Sequence, residues 1–543
     1  MRVLAVIPAR GGSKGIPRKN VRLMNGRPLI TYAIETAKAC SLISDIVVTS
    51  DDEESISIAK LGQVNYINRS MELAGDNVTL DPVIYDAVIK MEAQNKIIYD
   101  IVITLQPTSP LLTSNTLQTA LESFIQNNQE TYISVVNKPH LSWSMKDGKY
   151  IPNYLKRLNR QQLPPNYFET GAFFITRREF VKQDSRMGNE ISVFEIPECE
   201  SVDIDSTSDW IVCESELKKK RIVFRADGYK ELGMGHIYHC LTLAYNLTGH
   251  DIMFVTDKNH IQGYEKIKSS HMPMFAIEKE EEFFGFLKEW KADIIVNDRL
   301  DTEKEYILKL KSLANKVITI EDLGEGAKYA DAVINALYNE APSKKNQFMG
   351  EKYICLRDEF MIHAPKEFSK KVQKVLVMFG GTDPSNLTRK IYDLALRVSE
   401  IYQDIQFTFI GGAGYDCKKH EVLSREDKNI IVLNDVKRVS DHMREADLAF
   451  TSQGRTVFEL AAMGVPSIVL AQNEREQLHT FAQMQNGFLN LGLGKDITLE
   501  TIESTFKWLV ETEQIRYEMQ SLMLKHDLKK GINNIIEIIL EEF

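Results

Sequence analysis

The chain opens twice. Its first twenty residues, "MRVLAVIPARGGSKGIPRKN", run from an apolar burst through a glycine-rich turn into a helical pattern. Residues 220–240, "KRIVFRADGYKELGMGHIYHC", do the same after a lysine cluster, deep inside the chain. A strand of aliphatic residues that feeds a glycine turn and then a helix is the repeating unit of an α/β sheet with helices on its faces. Ligands of such sheets bind beyond the carboxyl ends of the strands, so the loops after the apolar runs are where chemistry belongs. Two starts in 543 residues also fit the size limit on one core, which stops growing near roughly 250–300 residues.

The alternation continues along the chain. "DIVVTS", "YDIVITLQP", "TYISVV" and "GAFFIT" predict strands, while "PLITYAIETAKA" and "DPVIYDAVIKMEAQ" repeat apolar residues at i, i+3 and i+4 and predict helices. "STSDWIVCESELKKK" predicts the helix that closes the first half, with a Ser or Thr cap ahead and lysines at its end to complement the helix dipole. "RIVFRAD", "DIMFVT", "ADIIVND" and "KVITIED" then make a second series of strands. A polar stretch at residues 363–371 breaks the pattern, and "QKVLVMFGGTDPSN" opens a third series, continued by "QFTFIGG", "NIIVLND", "DLAFTS" and "PSIVLA". The expected fold class is α/β: a Rossmann-like domain over residues 1–220, then a pair of Rossmann units over 221–365 and 372–543.

The net charge of −10 argues against nucleic acid as a partner. Against that acidic background, residues 1–34 hold seven cations (Arg2, Arg10, Lys14, Arg18, Lys19, Arg22 and Arg27), and no acid precedes Glu35. Such a segment is set up to hold an anion. The six cysteines are scattered without a CxxC pair, which fits a reducing compartment and excludes a zinc finger. No apolar run approaches the roughly 18 residues of a membrane span. The stretch Val3–Ile7 meets Pro8 and Arg10 too soon for a secretory signal. The expectation is a cytoplasmic protein with no membrane partner.

In "IPARGGSKGIPRKN", Gly11, Gly12 and Gly15 free successive backbone N–H groups to form an anion nest, and Arg10, Lys14 and Lys19 add charge. The Walker pattern GxxxxGK[ST] is absent. The plainer reading is a glycine turn with surface cations. Four further segments weigh against it: "NRSMELAGDN" (68–77), "LQPTSPL" (105–111), "RQQLPPNYFETGAFFI" (160–175) and "SVDIDSTSDW" (201–210). In the last, Asp203 and Asp205 are two apart, and on a strand both carboxylates would face one Mg²⁺.

In this order "IPARGGSKGIPRKN", "LQPTSPL", "RQQLP" and "DIDSTSD" resemble the acylneuraminate cytidylyltransferases, or CMP-sialic acid synthetases, over roughly residues 1–220. The resemblance implies a nucleotidyltransferase domain that turns CTP and a nonulosonic acid, a nine-carbon 2-keto sugar acid, into a CMP-sugar and pyrophosphate. It implies that Ala9, Arg10, Gly11, Gly12, Ser13, Lys14 and Asn20 hold CTP, with Lys14 on the phosphates, and that Arg69 and Ala74 border the cytosine. Gln106, Thr108 and Ser109 would face the sugar acid, and Arg160 and Gln161 would approach its carboxylate or substituents. Asp203 and Asp205 would carry Mg²⁺, with a metal-bound water or Asp205 taking the attacking hydroxyl's proton. A homodimer through this domain is implied as well. Thr170 stands where the sialic-acid members usually have Asn.

The second start, "RADGYKELGMGHIYHCLTLA", puts Gly233 and Gly235 at a strand-to-helix turn and His236 in the first helical turn. There the helix dipole lowers a histidine's pKa and keeps it neutral, as a general base requires. His239 lies three residues on, on the same face. The plainer reading is a capping or packed histidine. "MFGGTDPSN" (378–386) and "TSQGRTVFELAAMGVPSIVLAQNEREQ" (451–477) are further glycine loops. In the latter, Gly454 opens a helix carrying Glu459, and a Glu beside a nucleotide can accept both ribose hydroxyls.

"RADGYKELGMGH", "IIVNDRLD", "FGGTDPSN" and "GRTVFELAAMGVP" resemble the UDP-sugar hydrolase of pseudaminic-acid synthesis, an enzyme of the two-domain GT-B fold, over roughly residues 221–510. The resemblance implies a UDP-sugar held by Gly235, His236, Gly380, Gly381, Asp383, Asn386, Thr456, Glu459 and Gln477. His236 would activate water, Asp298 would assist, and UDP would leave the anomeric carbon. Glu476-Gln477 stands where the family often has Asn-Gln. On these readings two enzymes of one route to an activated nonulosonic acid are joined. The rival readings of the second half are a GT-B glycosyltransferase and a module that binds nucleotide sugars without turnover; His236, Asp298 and Glu459 weigh against the latter.

Overall fold

The computed structural model describes residues 1–13, 15–75, 77–229, 232–338, 345–412, 414–425, 429–434 and 436–541. They form two compact units, Met1–Lys219 and Lys220–Phe543.

The first unit is built on a seven-stranded sheet in the order Ile191–Glu195, Thr131–Asn137, Tyr167–Arg177, Ile101–Leu105, Val3–Pro8, Asp45–Ser50, Asn65–Asn68. All neighbours run parallel except Tyr167–Arg177, which is antiparallel to both of its partners. Ile101–Leu105 is buried throughout and Val3–Pro8 almost so. Both faces of these strands are covered, which is why they read as continuous apolar runs. Leu4 and Val6 pack under one layer with Val88 and Met91, while Ala5 and Ile7 pack under the other with Ile34, Leu117 and Phe124.

The closing helix is Thr207–Leu217, and it starts on a capping box between Ser206 and Asp209. Its Trp210 and Cys213 bury against Ile16, Met24, Leu29, Leu111 and Ile204, so this helix holds the loop after the first strand close to residues 201–205. A small hairpin, Trp143–Lys146 and Lys149–Pro152, is exposed along both strands. Its turn residues Asp147 and Gly148 both take positive φ (50° and 74°), the geometry a two-residue Asp-Gly hairpin loop supplies.

The second unit contains two all-parallel sheets. One runs Met274–Ile277, Asp251–Asp257, Arg221–Ala226, Ile294–Asp298, Lys316–Ile320, Ala332–Asn335, Gln347–Met349. The other runs Ile430–Asn434, Gln406–Gly411, Lys374–Met378, Leu448–Thr451, Ser467–Ala471, Phe488–Leu493. This is the pair of Rossmann units the pattern predicts, with one correction to the end of the range 372–543. The last helix, Gly531–Leu540, places Ile532, Ile535, Ile538 and Ile539 in the core of the first of these sheets, in one cluster with Ile222, Phe224, Ile237 and Leu241. Its isoleucines make one apolar face that this sheet, and not the second, takes up. Buried Lys316 fastens the end of that helix: its ammonium donates to the carbonyls of Ile538 (2.5 Å), Ile539 (3.3 Å) and Glu541 (2.6 Å). These are carbonyls a helix C-terminus leaves without partners of its own. Among the described residues, no helix is long and apolar enough to cross a membrane.

In each sheet the strand order reverses direction about the first strand. The reversal lies between Val3–Pro8 and Ile101–Leu105, between Arg221–Ala226 and Ile294–Asp298, and between Lys374–Met378 and Leu448–Thr451. Loops leaving such a pair part to opposite faces and open a crevice. The candidate residues lie around these three crevices.

Candidate functional site

In the first unit the glycine loop follows Val3–Pro8. Ala9 is buried and donates its N–H to Thr49 O (3.0 Å), and Asn20 Nδ2 holds the Arg10 carbonyl (2.9 Å). Gly11 and Gly12 are exposed and Ser13 half-buried; Lys14 lies outside the described residues. Gly11 N–H donates to Asp51 Oδ1 (3.1 Å), so a carboxylate of the protein itself sits on an amide of the nest. A Cβ on Gly15 would stand 2.5 Å from the Asp205 carbonyl oxygen, so only glycine permits this close approach. Lys19 closes the same contact from its other end, with Nζ donating to Ile204 O (2.5 Å) and 3.7 Å from Asp205 Oδ1. The positive field is thinner than the sequence predicts, because Arg18 pairs with Glu54 and Arg27 with Glu35.

Arg69 is buried and gives its guanidinium to Thr49 O (2.7 Å). Burial lowers its pKa, Asp51 pulls the other way and Arg10 adds to the lowering. Ala74 ends the short turn Met71–Leu73. Gln106, Thr108 and Ser109 leave the carboxyl end of Ile101–Leu105. Over Gly171, whose φ is +69°, a Cβ would stand 3.1 Å from Asp203 Oδ2 and 3.2 Å from Gln106 Nε2. Ser109 Oγ and Asp203 Oδ1 are buried with no hydrogen-bond partner among the described residues. Burial pushes the Asp203 carboxyl pKa up; the nearby Thr108 hydroxyl opposes this, and the Asp205 charge adds to it.

One expectation changes here. Asp203 and Asp205 do not lie on a strand. Residues 201–205 form an irregular loop, because Asp209 of the capping box draws in the N–H groups of Asp205 (3.1 Å) and Ser206 (2.8 Å). Asp203 is half-buried, while the Asp205 side chain is 83% exposed. Arg160 and Gln161 occupy an exposed turn, Arg160–Gln162, where Arg160 faces Glu198 (3.8 Å). Thr170 is buried and bonds Ser134 Oγ (2.9 Å), so its departure from Asn is absorbed inside the sheet.

In the second unit, helix Gly235–Asn246 presents His236, His239 and Cys240 on one face, as residues i, i+3 and i+4 must be. That face meets the end of Ile294–Asp298. Asp298 is fully buried, with Oδ1 at 2.6 Å from His236 Nδ1 and Oδ2 at 3.0 Å from His239 Nδ1; Cys240 Sγ stands at 3.5 Å. Burial alone would raise the Asp298 pKa, but the two imidazoles hold it well below the carboxylate range. For His236, burial pulls the pKa down, but the charge and hydrogen bond of Asp298 outweigh it and the net shift is upward. This corrects the expected lowering by the helix dipole. His239 is lowered, by burial first and by Arg455 next. Arg455 is itself held by Glu321 (2.9 Å).

A cavity of about 420 Å³ opens beside this group, between the carboxyl edges of the two sheets. Gly235, Tyr238 and His239 line it from one side; Gly380, Gly381, Thr456, Glu459 and Glu476 line it from the other, with Arg357 and Arg455. Gly380 turns at φ +78°, and a Cβ on Gly412 would stand 2.5 Å from its carbonyl oxygen, so the two loops at this edge nearly touch. Glu459 is not free: Arg357 Nε donates to it at 2.9 Å.

Asp383, Asn386 and Gln477 are corrections. The Asp383 carboxylate starts helix Leu387–Val398, accepting from Leu387 N (2.9 Å) and Thr388 N (2.7 Å), and takes a third bond from Gln472 Nε2 (2.8 Å). Asn386 Oδ1 accepts from the Tyr415 hydroxyl (2.6 Å). Gln477 is exposed, and its neighbour Glu476, whose pKa burial raises, lines the cavity instead. Arg357, Arg455 and Glu476 are cavity residues that sequence reasoning missed. Arg455 and Glu476 lie inside the quoted glycine-loop segment, whereas Arg357 has no local signal.

The fold of the first unit is that of a nucleotidyltransferase, and residues 4–228 match the cytidylyltransferase family. A pseudaminic acid cytidylyltransferase of Campylobacter jejuni is 34% identical over 217 residues, 38% of this chain and 93% of the relative. The chain belongs to the cytidylyltransferase family. An uncharacterized protein of Methanocaldococcus jannaschii is 30% identical over 280 residues; the match takes in 47% of this chain and spans 57% of that protein's length. Among solved structures, the MurG of Acinetobacter baumannii is similar with a TM-score of 0.45 at 16% identity, over 59% of this chain and 99% of that one.

Proposed function

We propose that the chain joins two enzymes. The first unit converts CTP and a nonulosonic acid of the pseudaminic or sialic type into a CMP-sugar and pyrophosphate. The second hydrolyses a UDP-linked hexose to UDP and free sugar. The first reading is supported by the close contact of the glycine loop with the Asp203–Asp205 loop at Gly15, and by the similarity to a pseudaminic acid cytidylyltransferase. In this reading the sugar acid lies over Gln106, Thr108 and Ser109, and its anomeric hydroxyl attacks the α-phosphorus. The amides of residues 11–13 and Lys14 take the phosphates, and Asp51 gives up the Gly11 N–H to them. The unpartnered Asp203 Oδ1 beside a second carboxylate is a hard-oxygen donor pair, which suits Mg²⁺. When bound, Mg²⁺ would offset charge developing on the leaving pyrophosphate. Pyrophosphate release from CTP and Mg²⁺ across a panel of nonulosonic acids tests this; no release with any of them sinks it.

The second reading rests on Asp298 and its two histidines, of which His239 lines the cavity. Asp298 fixes the Nδ1–H of His236, leaving Nε2 with the lone pair that takes a proton from water as it attacks the anomeric carbon. The diphosphate would lie at Gly380, Gly381 and the first N–H groups of helix Thr456–Met463. Supplying a UDP-hexosamine without acceptor tests it: a hydrolase releases UDP at once, a glycosyltransferase barely does. A homodimer through the first unit is part of the same proposal. The hairpin exposes Trp143, Met145, Tyr150 and Ile151, and two strands alone are marginal in water unless something covers them. A mass of one chain in light scattering at micromolar concentration would remove the dimer.

A further inference from the structure

We infer that His239 Nε2 accepts a hydrogen bond from a hydroxyl of the sugar held in the second unit's cavity, an inference that rests on reading that cavity as a UDP-sugar site. His239 is 5% exposed and lines the cavity. Its Nδ1 stands 3.0 Å from Asp298 Oδ2. That nitrogen must carry the ring proton, since a bare nitrogen would set its lone pair against a carboxylate's. Arg455 Nη2 is farther from the same nitrogen, at 3.4 Å, and the guanidinium is already engaged by Glu321. Nε2 is therefore an acceptor. It is buried, with no partner among the described residues. Buried acceptors are rarely left unpaired, and a ligand that completes one gains by it.

The chemistry narrows the ligand group. Diphosphate oxygens have no proton to give at neutral pH; a sugar hydroxyl does. The amides at Gly380 and Gly381 serve the phosphates, and the arginines are held by Glu321 and Glu459, which leaves His239 for the sugar. The lowered pKa of His239 keeps the ring neutral, in agreement with this role.

Calorimetry on the full chain tests it, with UDP, UDP-N-acetylglucosamine, UDP-N-acetylgalactosamine and their 6-deoxy analogues. The readout is the ratio of the UDP dissociation constant to that of the tightest UDP-sugar. His239→Phe should leave UDP affinity in place and cut that ratio by about tenfold, the size of one hydrogen bond. His239→Gln, which returns an amide oxygen to the same region, should keep most of the ratio. Should the Phe ring abolish UDP binding, His239→Leu replaces it as the non-accepting variant. An unchanged ratio in the non-accepting variant overturns the inference. So does a Gln variant as poor as Phe, which would mean packing alone. If the wild-type chain binds UDP but no UDP-sugar more tightly, His239 has no sugar to read and the inference fails. If it does not bind UDP at all, the reading of the cavity itself has failed.

Discussion

Asp298→Asn keeps the size of a fully buried side chain but removes its charge and turns one of its two oxygens into an N–H donor. In the native chain both oxygens face imidazole nitrogens, at 2.6 and 3.0 Å. Asparagine can accept from only one ring. The other must present a bare Nδ1 and move its proton to Nε2. If that ring is His236, the base is capped by a hydrogen. If it is His239, His236 keeps its tautomer but exchanges a charge-assisted bond of about 1.5–3 kcal/mol for a neutral one of about 1 kcal/mol. An Asp→Asn change behind a catalytic histidine costs about 10⁴ in turnover when the tautomer is lost. UDP release should therefore fall on the order of 10³–10⁴-fold if His236 loses its tautomer, and about 2–30-fold if His239 does.

The pH profile should move as well. The His236 pKa is raised above 6.5 because Asp298 outweighs burial. Native UDP release should then climb with pH as His236 loses its proton above 6.5. In the Asn variant burial and Arg455 are opposed by the Glu321 charge alone, so the remaining activity should begin its climb at lower pH. Steady-state UDP release from pH 5 to 9 measures both effects, with UDP binding as the check on folding. A plateau at the native rate, or an acid limb that stays in place, refutes the dyad.

Three other outcomes are expected. Gly15→Ala puts a carbon 2.5 Å from the Asp205 carbonyl and must push the two loops apart; overpacking of this kind costs about 1–3 kcal/mol, so pyrophosphate release should drop about 10–100-fold while UDP release is unchanged. Asp205→Asn should abolish CMP-sugar formation and spare UDP release, His236→Ala should do the reverse, and the double variant should lose both; a folded single variant silent in both assays would point to one composite site. Lys316→Met leaves three carbonyls at the end of helix Gly531–Leu540 without their donor and should lower stability by about 2 kcal/mol, read as an earlier urea transition in UDP binding, whereas an unmoved transition would show that the ammonium adds nothing net.

The strands were legible because parallel strands covered on both faces need side chains that are apolar at every position, and "VLAVIP", "IVITL" and "SIVLA" say so without context. The histidine face was legible from the spacing of His236 and His239. What depended on distant partners was not. Asp383 looks like a ligand-facing acid in "GGTDPSN" until the helix that follows takes its oxygens, although an Asp four residues ahead of Leu387 is also a cap signal. Arg357 and Glu459 are about a hundred residues apart, and nothing local marks them as a pair. The Asp203–Asp205 pair was placed on a strand by its spacing, when the Ser206–Asp209 capping box ends extended structure there. The exposed hairpin carried its own signal, Asp147-Gly148 between two four-residue strands.

The route of the last helix bears on how such a chain comes off the ribosome. The first unit has every piece of its sheet once residue 219 has emerged, and it can mature while synthesis goes on. The second cannot. Strand Arg221–Ala226 is among its first segments to appear, but the isoleucines that complete its core cluster, and the carbonyls that occupy Lys316, arrive roughly 300 residues later. At a synthesis rate of about 5–20 residues per second, that apolar face waits for about 15–60 s. During that interval the cluster of Ile222, Phe224, Ile237 and Leu241 lacks the last helix's isoleucines and stands partly open to water.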